Sequence, residues 1–292
     1  GVLGDATYIK YVLKNKSQDT WTDTYFTLWS DPDLGAAGDD FVGCDTTLSL
    51  GFVYNESAAA QLGQYSAGYD FLQGPIVPAA GETATYNFEQ LADHKNLPMT
   101  SFMTYENSRS SDWGDPHTKD EIYNYMMALN KVGDNATTYQ GYITGSNINF
   151  LLTGDPEAGT GWLDSNSGDR RLMMNSGPFD MAPGDEQEFV IGFLVARGSD
   201  HLNAVTQVKR ADALVQLAYD LNFDLADPPS APALGQSGDS SYEPSYTKSD
   251  DGKISITLNW QRSDESYAEV DNFIKDYNEF FKTNIADTSS AT

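Results

Sequence analysis

Apolar and polar residues alternate with a period of two over residues 7–15, TYIKYVLKN, where Tyr8, Lys10, Val12 and Lys14 oppose Ile9, Tyr11 and Leu13. That is the pattern of a half-buried strand. It returns at 20–29, TWTDTYFTLW, and at 47–54, TLSLGFVY, so the first two runs predict a hairpin and the third a strand beyond an intervening loop. Residues 186–197, EQEFVIGFLVAR, are almost continuously apolar from Phe189 to Ala196, which predicts a strand in the middle of a sheet covered on both faces. A 3.6-residue period occurs twice. Over 118–131, Thr118 and Glu121 stand at capping-box positions, Ile122, Tyr125, Met126 and Leu129 share a face, and Gly133 follows as a stop. Over 201–222, Asp200 is the cap and Leu202, Val205, Val208, Ala211, Val215, Ala218 and Leu221 form one apolar stripe.

Proline and glycine set the remaining boundaries. Gly74-Pro75 and Pro78 assign 69–78 to a sheet edge or an ordered loop, TATYNF at 83–88 reads as a further strand, and 91–111 reads as irregular. The expected fold of residues 1–226 is mainly β, a sandwich or jelly-roll-like domain with two accessory α-helices. DPPSAP at 227–232 opens a stiff linker over 227–235. Residues 236–292 hold one clear strand, 253–260 with Ile254, Ile256, Leu258 and Trp260 on one side, and a helical or mixed stretch at 267–282. A Pro-rich entry followed by a strand ending in Trp is how fibronectin type III modules begin, but a full sandwich of that type takes about 100 residues. The second domain reads as an incomplete fibronectin type III-like segment, and the abrupt start at Gly1 reads as a piece of a longer chain.

Charge narrows the partners. The 292 residues carry 43 Asp and Glu against 17 Lys and Arg, a formal net charge of −26, which repels phosphate backbones and anionic membranes. Neither nucleic acid nor membrane insertion is expected. Aromatic content of 12 % supplies a sizeable core despite that charge. The lone Cys44 has no disulfide partner in the chain and fits a buried small apolar role.

The densest acidic text lies between the second and third strands. Residues 30–46, SDPDLGAAGDDFVGCDT, bring together Asp31, Asp33, Asp39, Asp40 and Asp45 without a Lys or Arg among them. Carboxylates so close repel one another unless a cation sits between them, and Ca²⁺ suits many oxygen ligands in loose geometry better than Mg²⁺ does. Gly35 at the fifth position of the Asp-x-Asp-x-Gly opening, with no Glu at the twelfth, separates the loop from an EF-hand. The competing reading is a solvated acidic turn.

Several blocks carry a family resemblance: YIKYVLKNKS, TLWSDPDLGAAGDDFVGCDTTLSLGFVYN, YDFLQGPIVP, TGDPEAGTGWLDSNSGDRRLMMNSGPFDMAPGDEQEFVIGFLVARGSDHLNAV and AYDLNFDLADPPSAP. Together they resemble a region, spanning most of residues 3–232, of large, uncharacterised secreted or cell-surface bacterial proteins. In that family such regions precede fibronectin type III-like repeats and a C-terminal sorting domain used by type IX secretion. The resemblance implies an extracellular or cell-surface location, with signal and sorting segments outside this chain, and the family has no established chemistry to carry over.

The function expected from these features is a non-catalytic, calcium-stabilised binding or adhesion module of a larger protein. It would contact an extracellular polymer, a protein surface or other domains of the same polypeptide. Tyr65, Tyr69, Trp113 and Trp162 lie in loop-like text, where flat rings could stack on a ligand. An enzyme is the alternative: His94, His117 and His201 lack metalloprotease spacing and no G-x-S-x-G is present, whereas a polysaccharide-active glycosidase needs only two carboxylates. A purely structural spacer is the third reading.

Overall fold

The computed structural model describes residues 6–108, 111–135, 138–140, 142–143, 148–224, 233–234, 245–250, 254–257 and 260–261. In chain order the first strands are β1 (Ala6–Lys14), β2 (Trp21–Ser30), β3 (Asp40–Asp45), β4 (Leu50–Asn55), β5 (Tyr65–Gln73), β6 (Ile76–Tyr86), β7 (Glu89–Asn96) and β8 (Ser101–Glu106). They are followed by α1 (Lys119–Met126), β9 (Thr138–Tyr139), β10 (Tyr142–Ile143), β11 (Arg170–Met181), β12 (Glu186–Arg197) and α2 (His201–Asp220). The chain divides into two compact units, residues 1–223 and 224–292.

Strand β12, apolar on both faces, has β1 on one side and β5 on the other within an antiparallel sheet ordered β1-β12-β5-β4-β3. Alternation along its neighbours divides the two faces. Leu50, Phe52, Leu72, Val190 and Leu194 pack on Val205, Val208 and Val215 of α2. Val53, Phe71 and Ile191 turn the other way, into a core shared with Phe102, Leu172 and Met174 of a second sheet, β2-β11-β8. The sheets approach closely at Gly51, where a Cβ would stand 2.8 Å from the Met174 sulfur and 2.9 Å from the Phe102 ring. Beyond the second sheet lies α1, whose Tyr125 ring stacks on Tyr105 at 5.0 Å. The layers therefore run helix, sheet, sheet, helix, and the fold is mainly β with two helices, as the periodicities predict.

Both helix caps form as their sequences dictate. Thr118 and Glu121 make the reciprocal capping box of α1, and Asp200 accepts the amides of Leu202 and Asn203 at α2.

Three expectations need correction. First, β1 and β2 do not form a hairpin: β1 pairs with β12 and β2 with β11, in different sheets. The buried Asn15 makes the crossing, because its Nδ2 donates to the carbonyls of Asp19 at 2.8 Å and Met181 at 2.9 Å. Second, the stretch beginning at residue 69 is no edge, since β5 lies inside the larger sheet and ends at Gln73, before either proline. Pro78 instead falls in the two-stranded hairpin β6-β7. Third, the text from 91 to 111 that reads as irregular contributes β7 and β8.

In the second unit the described residues form two short ladders. β14 (Ser245–Lys248) pairs with β15 (Ile254–Thr257), and β13 (Ala233–Leu234) with β16 (Trp260–Gln261). The linker prolines and the 267–282 stretch lie outside the described residues.

Candidate cation site

The acidic stretch begins where β2 ends and runs into β3. Carboxylate oxygens of Asp31, Asp33 and Asp169 lie within 4.8 Å of one another. Asp169 comes from the turn ahead of β11, so this grouping joins two segments far apart in sequence. Two ligands on opposite sides of a calcium ion at about 2.4 Å each are about 4.8 Å apart, so the three carboxylates fit within one coordination shell.

The stretch has no Lys or Arg of its own, but β11 brings one. Alternation along β11 sends its first two arginines to opposite faces. Arg171 reaches outward to Asp31 at 3.0 Å, to Asp115 at 3.8 Å and to Asp169. Arg170 is buried and pairs with buried Asp164 at 3.3 Å, whose carboxylate also accepts the Val42 amide and the Gln140 side-chain amide. Asn107 donates to the second Asp169 oxygen at 2.7 Å. Among the described residues no ion pair reaches Asp33, Asp39 or Asp40.

Asp40 is 1 % exposed. The Leu34 amide donates to its Oδ2 at 3.3 Å, while its Oδ1 and the Oδ1 of Asp39 are buried without a hydrogen-bond partner. Burial, with the negative charges of Asp39, Asp33 and Asp169 adding to it, pushes the Asp40 carboxyl up to about 7. Burial likewise raises Asp31, against the lowering effect of Arg171. Among the described residues Arg171 pairs with Asp31, Asp115 and Asp169, and Asp39 and Asp40 lie outside the grouping of Asp31, Asp33 and Asp169; the excess of negative charge over this one guanidinium is what a hard divalent ion would offset.

Not every expected ligand converges here. Asp45 stands at the opposite end of β3, where Lys209 of α2 pairs with it at 3.1 Å and the Thr47 amide donates to its other oxygen. It belongs to the helix–sheet contact. Asp169 and Arg171 take its place in the cluster; the signal in the sequence was the run Gly168–Asp169–Arg170–Arg171, where arginines meet acids.

Of the four rings offered as ligand contacts, Trp162 is buried and Tyr65, Tyr69 and Trp113 are half-buried. Trp162 is 6 % exposed, and Trp113, Tyr65 and Tyr69 pack against the same apolar cluster. Tyr69 shares a 2.7 Å hydrogen bond with Ser30, and Trp113 meets the Tyr139 ring edge-on. Glycine and small polar residues around Tyr65 and Tyr69 gave loop-like text, but both lie in strand β5.

A second carboxyl grouping escaped sequence reading. Asp70 of β5 and Asp212 of α2, each 0 % exposed, face one another between sheet and helix, and neither finds a well-formed hydrogen bond outside the pair. Burial pushes both well above the usual carboxylate range, and Asp212 raises Asp70 further by its charge and hydrogen bond. Burial favours the neutral form of both carboxyls between sheet and helix, where the two residues are part of the helix–sheet packing.

Comparison of the chain with family models, with curated proteins and with solved structures returns no match.

Proposed function

We propose that residues 1–223 are a non-catalytic binding module of a larger secreted or cell-surface protein, stabilised by calcium at the aspartate cluster. The observation that carries this reading is the convergence of Asp31, Asp33 and Asp169 within one coordination shell, beside unpartnered buried oxygens on Asp39 and Asp40. Calcium is favoured by the all-oxygen donor set and by two loop segments able to adjust to a loose shell. Asp33 and Asp169 would supply ligands, Arg171 would fix Asp31 and Asp169 from the other side, and ionisation of Asp40 would complete the site. The extracellular location rests on the family resemblance.

Terbium luminescence tests the site, because Tb³⁺ replaces calcium and the Trp29 indole, hydrogen-bonded to Tyr105 at 2.7 Å, lies two residues from Asp31. Excitation through Trp29 should give sensitised emission that calcium displaces. Asp33→Asn should abolish most of it and Asp45→Asn should leave it intact. The reverse ranking of those two variants, or no emission at all, would overturn the site described.

A further inference from the structure

At the other end of the β2–β11 ladder, roughly 25 Å from Asp31 at about 3.3 Å per residue, lies a groove of about 720 Å³ between that ladder and the β6-β7 hairpin. Both walls are irregular strands. β11 shifts register against β2 between Ser176 and Phe179 and again before Met181. β6 bulges against β7 between Pro78 and Thr83, with Gly81 and Asp93 at positive φ and the Gly81 amide bonded to the Asp93 carboxylate. Bulges of this kind re-aim side chains and gather beside binding sites. The hairpin is fixed at its base: the Gln187 side chain exchanges two hydrogen bonds with the Ile76 backbone, at 2.8 and 2.9 Å.

The lining combines two chemistries. Val77, Pro78, Leu91, Pro178 and Phe179 give an apolar floor, and Asp23, Asp180, Asp185 and Glu186 place four carboxylates along it, with His94 as the one basic side chain among the lining residues. Lys14 neutralises Glu186 from outside at 2.6 Å. The other three acids have no ion-pair partner among the described residues. Asp180 accepts the Asp23 amide through one oxygen and Asp185 the Ala182 amide through one oxygen, so each carboxylate is oriented while its second oxygen has no hydrogen-bond partner among the described residues. Asp23 holds φ +50, a left-handed conformation seldom kept by a non-glycine residue without a local reason.

We propose that this groove is the module's contact site and takes a peptide segment of a partner protein in which lysine or arginine is set among apolar residues. The aliphatic stems would lie on the proline and leucine floor and the cationic heads would reach the free oxygens of Asp180, Asp185 and Asp23. The volume falls within the range of about 300–1,000 Å³ that holds compact ligands. This assignment rests on the reading of the chain as a binding module and is independent of the cation site.

The test is fluorescence anisotropy of a dye-labelled peptide alternating Leu and Lys, with a Leu/Glu peptide as its counterpart. The full chain should bind the first and not the second. Asp180→Asn with Asp185→Asn should weaken binding by roughly fivefold or more, taking two surface charge pairs at about 0.5 kcal/mol each. Asp120→Asn with Asp134→Asn, exposed acids outside the groove, imposes the same change in net charge and should leave affinity within about twofold, since it removes no direct pair. Leu91→Ser, at a side chain 41 % exposed and so tolerant of polarity, should weaken binding without changing the salt dependence. Equal losses in the two double variants would assign the attraction to overall charge and overturn the groove. Absence of binding by the parent chain would also overturn it, while leaving the module reading to be judged by the terbium measurement.

Discussion

A carboxyl group buried without a cation keeps its proton, and Asp40, Asp70 and Asp212 are in that position. Each has a folded pKa raised above the unfolded value of about 3.9. Between those two values the folded state holds more protons than the unfolded state, so stability falls as pH rises through the interval. For Asp40 the interval closes near its folded value of about 7; for the pair, too, burial opens an interval above the ordinary carboxylate value. Asp70→Asn supplies an amide donor to Asp212 without needing a proton. The variant should therefore show a flatter decline in urea midpoint between about pH 5 and about pH 8 than the parent. A decline of unchanged steepness would mean that the pair does not hold its proton. At this scale Cys44 was legible as a small buried residue, which it is. Asp212 was not, because an acid next to Ala211 on a long amphipathic helix reads as solvent-facing until the opposing Asp70 is seen. Trp162 is the converse case and is buried: surrounding turn residues report backbone path and not side-chain direction.

Elements with one strong period were the most readable. β12 is central because an uninterrupted apolar run must be covered on both faces, and the capping residues of α1 and α2 fixed both helix starts. Strand partners were less readable, since the alternation of β1 and β2 says which face is buried and nothing about which strand lies alongside. β5 was lost to prolines that begin just after it. The turn that follows β5 has its own constraint: at Gly74 a Cβ would stand 1.8 Å from the Leu97 carbonyl oxygen. This contact with backbone cannot be relieved by a side-chain rotation. Gly74→Ala should therefore destabilise the first unit by about 2 kcal/mol or more, measured by urea unfolding, and should loosen the β6-β7 hairpin in hydrogen exchange. A midpoint equal to the parent's would show that the strand β5 to β6 connection is far less tightly packed than the contacts indicate.

On the scale of the whole molecule a formal charge of −26 works against compaction, and the cluster around Arg171 is where acids from β2, the turn before β11 and the segment holding Asp115 meet. No helix among the described residues is long and apolar enough to cross a membrane. The aspartate concentration was legible in the sequence; the membership of the cluster was not, because Asp169 and Arg171 arrive by tertiary pairing. A cation bound only by the folded cluster would raise stability by RT ln(1 + [L]/Kd), about 0.7–1.8 kcal/mol at about 2 mM calcium for a Kd of about 10⁻³–10⁻⁴ M. The most direct measurement is the melting midpoint of the first unit in about 2 mM calcium, suited to weak extracellular sites, against chelator at equal ionic strength. The midpoint should rise by several degrees with calcium in the parent chain and stay unchanged in Asp33→Asn. Equal midpoints with calcium and chelator in the parent, or a rise that survives in Asp33→Asn, would contradict the cation site.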